Sequence, residues 1–356
     1  MATLFVEVES FDLHSASQAE WLALNALANR IRAEIHPDDP PIPDAEMIQG
    51  WQNIPSFMAA LRWVVWAVDR TAIIGSSSAV FTRTASNQHL LEFNIEVLPA
   101  FRRQGLGVRL LAPIGEIAQR ENRALLMART TARIPAGEAF LQRLGASKGL
   151  ESHVNQLQLA ELDPALLAAW QKQAAERAGG FDLIAWADPC PNEHLEAVAR
   201  LVSAGLSQQP HGELKVTEIT LTPEQIRQEE QSFAAAGQEH WTICACERAS
   251  GQWVGLTDVF WQPNRPQILL QGLTIVLPAY RGRGLGRWLK AAMLDKVLSE
   301  RPQVKFVRTR NADSNAAMLK INQELGFKPY LSTCVWQVET EQVIHYLKQK
   351  RGNYDV

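Results

Sequence analysis

One short motif occurs twice in the chain, with the same spacing of proline, arginine and glycine. It reads VLPAFRRQGLG at residues 97–107 and VLPAYRGRGLG at residues 276–286, so the copies lie 179 residues apart. Each copy follows an apolar, strand-like run and precedes a run with helical periodicity. Glycines in a turn that opens a helix let backbone N–H groups approach a phosphate, and the helix dipole adds to the attraction. The motif therefore predicts that the chain holds a phosphorylated cofactor, once or twice.

The residues around the two turns have distinct expected roles. Arginines add positive charge at the rim, while Pro99 and Pro278 cannot donate to a strand ladder, so each strand should part from its neighbour there. Parting leaves backbone groups to bond an extended ligand arm or to polarise a carbonyl. The candidate binding residues are Ile275, Val276, Leu277, Arg281, Gly282, Arg283, Gly284, Leu285, Gly286 and Arg287, and in the first copy Val97, Leu98, Arg102, Arg103, Gln104, Gly105, Leu106, Gly107 and Val108.

The composition limits the classes of protein to which the chain can belong. The chain has 356 residues, which suits two domains, and its 46% hydrophobic content allows each half a core. A formal net charge of −3 argues against a nucleic-acid partner, which needs a basic face. The sequence shows neither a membrane-length apolar run nor a signal peptide, and its four cysteines lack zinc spacing. We expect a cytoplasmic protein with reduced thiols, no metal site and no membrane span.

The order of predicted elements repeats as the motif does. Each half reads β-α-α-β-β-β-α-β-α-β, beginning with a strand over Leu4–Val8 in the first half and over Phe181–Ala187 in the second. The Ala- and Glu-rich segment between the halves predicts a helix that ends at Gly179. We therefore expect domains over residues 1–160 and 181–356, joined by a helical linker over 161–180.

The motif in this context resembles the GCN5-related N-acetyltransferase (GNAT) superfamily. The carrying features are a strand, V-x-P-x-[FY]-R-x-x-G-x-G, a helix, a strand and a helix that ends in Leu-Gly-Phe at residues 325–327. The chain as a whole resembles the tandem type that includes mycothiol synthase. The resemblance implies an α/β fold of two GNAT-type domains, each a mostly antiparallel twisted sheet flanked by helices. It also implies acetyl-CoA as the cofactor and direct acetyl transfer to the primary amine of a small acceptor. The thioester oxyanion then needs a donor, for which the Val276 N–H is the candidate. We expect a monomer or homodimer.

The two halves differ in the residues that follow the turn. The second half carries Asn311 and Asn315 in a segment resembling the family's later motif, which helps to hold the cofactor arm, whereas the first half has no matching Asn. We therefore expect the second half to be the active transferase and the first to be degenerate. The family often places a tyrosine acid four residues before the glycine of the Leu-Gly-Phe end. That position holds Asn322 in the second half and Leu141 in the first, and neither is an acid.

The general base is less defined by the sequence. Glu92 lies on the strand before the first turn, where a carboxylate can face an acceptor, and the constant offset makes Gln271 its counterpart. A solvated strand carboxylate is the alternative for Glu92, and an ion pair with Arg102 or Arg103 is expected for Glu96. His211, in a loop between two helices, is a candidate substrate contact or a solvated loop residue. A catalytically silent acyl-CoA-binding or regulatory protein is the alternative to an enzyme.

Overall fold

The computed structural model describes residues 7–351, and its internal contacts divide the chain into two units. Of these residues, unit 1 comprises 7–151, Gly212–Thr217 and 333–351, and unit 2 comprises Ser152–His211 and Glu218–Ser332. The predicted boundaries at residues 160 and 180 were therefore wrong, since each half contributes its closing segment to the other unit. The segment 161–180 is not a linker, because its helix belongs to unit 2.

Residues 7–351 form twelve strands and ten α-helices, which follow one another along the chain as β1 Val8–Phe11, α1 Gln18–Ile35, α2 Asp44–Gln52, β2 Met58–Trp66, β3 Ile73–Thr82, β4 Leu90–Val97, α3 Leu106–Arg120, β5 Leu125–Thr131, α4 Pro135–Leu144, β6 Ser147–Gln158, α5 Pro164–Arg177, β7 Phe181–Ala187, α6 Asn192–Ser207, α7 Pro223–Ala235, β8 Glu239–Glu247, β9 Trp253–Trp261, β10 Ile268–Val276, α8 Leu285–Glu300, β11 Phe306–Ala312, α9 Ala316–Leu325, β12 Lys328–Glu339 and α10 Thr340–Arg351. The repeated element order is confirmed. The predicted strand over Leu4–Val8 lies mostly outside the described residues, and α10 was not predicted. No helix in the described part of the chain is long and apolar enough to cross a membrane.

The sheet of unit 1 has the strand order β1-β2-β3-β4-β5-β12, with β12 contributing Thr333–Glu339. All neighbouring pairs are antiparallel except β4 and β5, which are parallel. Helix α3 packs on one face of this sheet around Leu111 and Ile114, and α1 packs around Leu24 in a separate cluster with Val64. Both faces are thus covered, as parallel strand pairs require.

The sheet of unit 2 has the equivalent order β7-β8-β9-β10-β11-β6. Only β10 and β11 run parallel, and β6 contributes Ser152–Gln158 as the antiparallel partner of β11. Helix α8 packs against the core through Leu289 and Met293, while α6 packs on the other face near Leu256. The duplicated sequence therefore builds the same architecture twice.

Local sequence explains where the helices begin. Ser17 and Thr222 are N-caps of α1 and α7, and each forms a capping box with the residue three positions on, Glu20 or Gln225. Asp163 caps α5. Asp44 is the first residue of α2 and accepts a hydrogen bond from Asn25. The N-caps of α3 and α8 are glycines, and these are the glycines of the duplicated motif.

Candidate functional site

In each unit the parallel strand pair opens into a V-shaped gap. Strands β4 and β5 pair only over Leu90–Glu92, and β10 and β11 pair only over Ile268–Gln271. Beyond these residues β4 and β10 remain paired with their antiparallel neighbours up to Val97 and Val276. The backbone along the gap is therefore held on one side, and no strand of the described part of the chain pairs with it on the other.

Alternation along the strand decides which backbone groups face each gap. The Leu277 N–H donates to the Val254 carbonyl at 2.9 Å, so the N–H of Val276 points the other way, into the gap. The Val276 carbonyl, which also faces the gap, accepts from Arg281 Nε at 3.1 Å. The first copy repeats this arrangement with Leu98 and Val97. Of the segment expected to be free, the Val276 N–H therefore faces the gap, and the Leu277 N–H does not.

The turn after β10 has the geometry of an anion cradle. Gly282 and Gly284 adopt φ values of 76° and 87°, and apart from their chain neighbours no heavy atom of the described residues lies within 4 Å of where a Cβ would be at either residue. The N–H groups at the start of a helix have no intrahelical partner, so the first turn of α8 adds donors beside this space. The first turn keeps the same backbone shape, with φ values of 65° at Arg103 and 83° at Gly105. Both turns thus suit a pyrophosphate, and only the second has glycine at both left-handed positions.

The arginines of the second turn are held by nearby side chains. Arg281 Nη2 donates to Gln208 Oε1 at 2.6 Å, and Arg283 lies over the Tyr280 ring at 5.2 Å. Arg287 forms a bidentate pair with Glu324, at 2.8 and 2.7 Å. Arg283 is therefore the arginine at this turn that is not committed to a side-chain hydrogen bond in the described residues.

In the first turn Arg102 does not pair with Glu96. It forms two hydrogen bonds with Glu34 of α1, at 2.9 and 2.7 Å, while Glu96 contacts Ser76 and Asn94. The expected ion pair of Glu96 was wrong because Glu34, which is distant in sequence, reaches the same guanidinium. Arg102 thus fixes the turn to α1.

A β-bulge in β10 distinguishes the two units. The register between β9 and β10 shifts between Gln271 and Thr274, whereas β3 and β4 pair without interruption. The extra residue moves every earlier side chain to the opposite face. Glu92 pairs with Val80, and the equivalent pair in unit 2 is Leu270 with Phe260. The expected counterpart of Glu92 was therefore wrong: it is Leu270, not Gln271.

Gln271 belongs to a buried polar network beneath the bulge. Lys290 of α8 is only 1% exposed and donates to Gln271 Oε1 at 2.8 Å. Gln271 Nε2 in turn donates to Thr257 Oγ1 at 3.0 Å, and this hydroxyl lies 2.9 Å from that of Thr274. Burial lowers the pKa of Lys290 to about 7, because a charged ammonium is poorly solvated in the core. The sequence did not predict this network; its only signal was a lysine inside the apolar stripe of a helix.

A second polar cluster holds the bulge from the other face of the sheet. Asp258 Oδ1 accepts from the Leu273 N–H at 2.6 Å, and Asp258 Oδ2 lies 3.4 Å from His240 Nε2. His240 Nδ1 lies 2.8 Å from Asp188 Oδ2, and its ring stacks on Phe260. Burial alone would lower the pKa of His240, but the hydrogen bonds to the two aspartates outweigh it and raise the pKa to about 9. His240 is thus a cation at neutral pH, clamped between two carboxylates.

Glu229 of α7 lies beside this cluster. Its carboxyl is coupled electrostatically to His240 and Asp258, and burial raises its pKa above the usual value. The described residues offer its carboxylate no hydrogen bond that fixes it. Glu229 is therefore the carboxyl of this cluster that remains available to bind or deprotonate another group. The sequence did not single out Glu229, His240 or Asp258 for this role.

The remaining residues that the sequence singled out are asparagines, a loop histidine and the cysteines. Asn311 Oδ1 accepts from Asn322 Nδ2 at 2.7 Å, and both residues are buried. Asn315 caps α9 by accepting from the Met318 N–H. His211 is partly exposed in the loop after α6. All four cysteines are free; Cys190 and Cys244 are buried, and Cys246 and Cys334 are partly exposed.

Comparison with known proteins assigns this architecture to a class. A sequence model of the Acetyltransferase (GNAT) family matches residues 21–146, within unit 1. The fold also matches a tandem GNAT protein from the clavulanic acid biosynthesis pathway, solved without AcCoA. The TM-score is 0.75 and the identity 26%, covering 94% of this chain and 98% of that one. The curated proteins contain no significant match.

Two further solved structures share the fold at lower identity. One is a GCN5-related N-acetyltransferase from Sphaerobacter thermophilus, with a TM-score of 0.66 and 17% identity over 94% of this chain and 96% of that one. The other is a conserved protein of unknown function from Enterococcus faecalis, described as a probable N-acyltransferase. Its TM-score is 0.52 and its identity 9%, over 94% of this chain and 72% of that one.

The fold and the site together define a GNAT architecture: a splayed parallel strand pair whose first strand ends in a glycine turn at a helix N-terminus. The family match, and the tandem neighbour along nearly the whole of both chains, agree with that architecture. Residues 21–146 thus match the acetyltransferase (GNAT) family, and the chain as a whole has the architecture of a tandem GNAT-type protein.

Proposed function

We propose that this protein transfers an acetyl group directly from acetyl-CoA to a primary amine of a small acceptor, and that unit 2 performs the transfer. The observation that carries the proposal is the turn at Gly282–Gly284. Two left-handed glycines with open space around them face the N-terminus of α8, directly after a strand whose far edge is unpaired. A Cβ at either glycine would intrude on the space that a pyrophosphate needs.

Different residues of unit 2 would bind different parts of acetyl-CoA. The backbone N–H groups around Gly284 and the first turn of α8 would hold the pyrophosphate, with Arg283 at the rim. The pantetheine arm would run along the gap beside Ile275–Leu277 and reach Asn311. Acetyl-CoA supplies an acetyl group already activated as a thioester. The Val276 N–H, which faces the gap, is placed to stabilise negative charge on the acetyl oxygen.

The acceptor must lose a proton before it can react, since a free alkylamine has a pKa of about 10. His240 is a cation at neutral pH and cannot serve as the base. Glu229 has a raised pKa and no fixed hydrogen-bond partner among the described residues, so we assign it this role in unit 2. Glu92 is exposed on β4 and remains our candidate base for any transfer in unit 1. Asn322 cannot donate a proton as an acid, so the CoA sulfur would leave as a thiolate.

We propose that unit 1 does not perform the transfer. Its turn has Arg103 where unit 2 has Gly282, and its strand β4 lacks the bulge. Its α4 presents the apolar Leu141 where unit 2 has Asn322. The alternative of a silent acyl-CoA-binding protein is favoured by one observation, the absence of an acid at Asn322.

Matched variants of the two turns test the proposal. Gly105→Glu and Gly284→Glu change equivalent N-cap glycines with φ values of 83° and 87°, so they impose similar backbone strain. Release of the CoA thiol is measured with a panel of primary amines. We expect Gly284→Glu to abolish turnover and Gly105→Glu to retain most of it. Turnover that survives in Gly284→Glu would refute the assignment to unit 2, and acetyl-CoA binding without turnover on any amine would favour the silent protein.

A further inference from the structure

Unit 1 buries an arginine that has no ionic partner. Arg62, on β2, is 6% exposed, and its guanidinium lies 4.1 Å from the centre of a Trp51 ring. Its Nη1 donates a long hydrogen bond of 3.4 Å to Ser76 Oγ, and its Nε has no acceptor within residues 7–351. No carboxylate of the described residues lies within ion-pair distance of it. The cation is therefore enclosed but not neutralised.

Burying the Arg62 cation without a carboxylate partner destabilises the protein when no ligand is bound. A buried guanidinium without a carboxylate loses its hydration and gains little in return. Stacking on an indole ring offsets only part of that cost. The unsatisfied Nε edge points to an anion that binds from outside the chain.

A carboxylate lies close to this cation without touching it. Ser76 Oγ accepts from Arg62 and donates to Glu96 Oε2 at 3.3 Å, so one hydroxyl bridges the two charges. The cation and the carboxylate are thus at most about 6.7 Å apart. Strand pairing places Arg62, Ser78 and Asn94 in one row and Ser76 and Glu96 in the next, on the same face of the sheet. Because β4 leaves β5 after Glu92, this face borders the gap of unit 1.

We propose that this surface binds a small zwitterion that carries both a carboxylate and an amine, as an amino acid does. The carboxylate would accept from the Nε edge of Arg62, whose planar fork matches it, and the ammonium would lie against Glu96. A phosphate dianion fits less well, because Glu96 would repel its second charge. The proposal does not depend on acetyl transfer in unit 2.

Unit 2 cannot form the same site. From the equivalent strand pairs, Thr242 takes the place of Arg62, and Ile275 takes the place of Glu96. Neither charge is present, and Ile275 is buried in an apolar cluster. The duplicated fold therefore carries the zwitterion site once, in unit 1.

Binding to the full-length protein without acetyl-CoA tests the proposal. The probes are glycine, β-alanine and 4-aminobutyrate, each compared with the carboxylic acid and the alkylamine that carry only one of its charges. Binding is followed by the side-chain Nε–H resonance of Arg62 and by calorimetry. We expect at least one amino acid to bind tenfold or more tightly than both single-charge analogues and to shift that resonance. Equal affinity for an amino acid and its analogues, across all three sets, would overturn the proposal.

Two substitutions locate the site. Arg62→Met removes the cation, and the isosteric Glu96→Gln removes the carboxylate; each should weaken zwitterion binding tenfold or more. Glu96→Gln keeps the test valid if Arg62→Met does not fold. Undiminished binding in both would contradict the site, as would stronger competition by inorganic phosphate. Gly284→Glu should bind the zwitterion as the wild type does, so failure of the proposed transferase and failure of this site can be told apart.

Discussion

Replacing Lys290 by methionine should change the pH dependence of stability in a way that few other substitutions can. The pKa of this lysine is about 7 in the fold and 10.5 when it is unburied. The folded state therefore holds fewer protons than the unfolded state between these values, and stability rises as the pH rises through that window. At 1.36 kcal/mol per pKa unit, burying Lys290 costs about 4 kcal/mol at pH 7 and about 1 kcal/mol at pH 10.

Methionine keeps most of the volume and removes the ionisation. It also leaves Gln271 Oε1 without its donor, which costs about 1–3 kcal/mol at every pH. The stability of Lys290→Met relative to the wild type should therefore fall by about 3 kcal/mol between pH 7 and pH 10. Urea unfolding at pH 7, 8, 9 and 10 measures this difference. Lys320→Met, at an exposed position on α9, is the control and should show a flat difference. A flat difference for Lys290→Met would refute the argument that Lys290 is desolvated.

Three further predictions concern other parts of the chain. Because the pKa of His240 is raised from 6.5 to about 9, its charge contributes about 3 kcal/mol to the free energy of unfolding below pH 6.5, and this contribution is lost as the pH rises to 9. Urea unfolding of His240→Gln should not show this loss. A variant with the same pH profile as the wild type would count against the two-aspartate clamp. Gly284→Ala should destabilise the fold by about 1–2 kcal/mol because residue 284 has a positive φ, whereas Gly50→Ala, inside α2 with equally open space, should stabilise it by about 0.5–1 kcal/mol. Thermal unfolding compares the two variants. Equal effects on stability would contradict the role of φ. Burial raises the pKa of Cys190 to about 12, so iodoacetamide at pH 8 should label Cys190 far more slowly than Cys246. Peptide mass spectrometry measures the two labelling rates. Equal rates would contradict the burial of Cys190.

The sequence was sufficient for the order of the elements and for the backbone shape of the glycine turn. Glycine at 282 and 284, after a strand and before an apolar helical stripe, predicted the turn because the backbone conformation required there is rare for other residues. Strand periodicity likewise located β7 to the residue. These features are local, and local patterns record them.

Features that depend on which strands or side chains pair with each other could not be predicted from local sequence patterns. An alternating run identifies β6 and β12 as strands but does not say which sheet each one joins, and each joins the unit built by the other half. A single extra residue in β10 reversed the assignment of Gln271, because the side-chain period of a strand is two. Arg102 found Glu34, 68 residues away in the chain, rather than Glu96. Each of these depends on three-dimensional proximity that no short window of sequence contains.

The structure of the protein crystallised with acetyl-CoA would test the central claim most directly. The account predicts that electron density for the pyrophosphate lies on the backbone of Gly282–Gly284, with the pantetheine arm in the gap beside Val276 and the acetyl oxygen at its N–H. Density confined to the turn at Arg103–Gly105, with the turn of unit 2 empty at saturating acetyl-CoA, would contradict it.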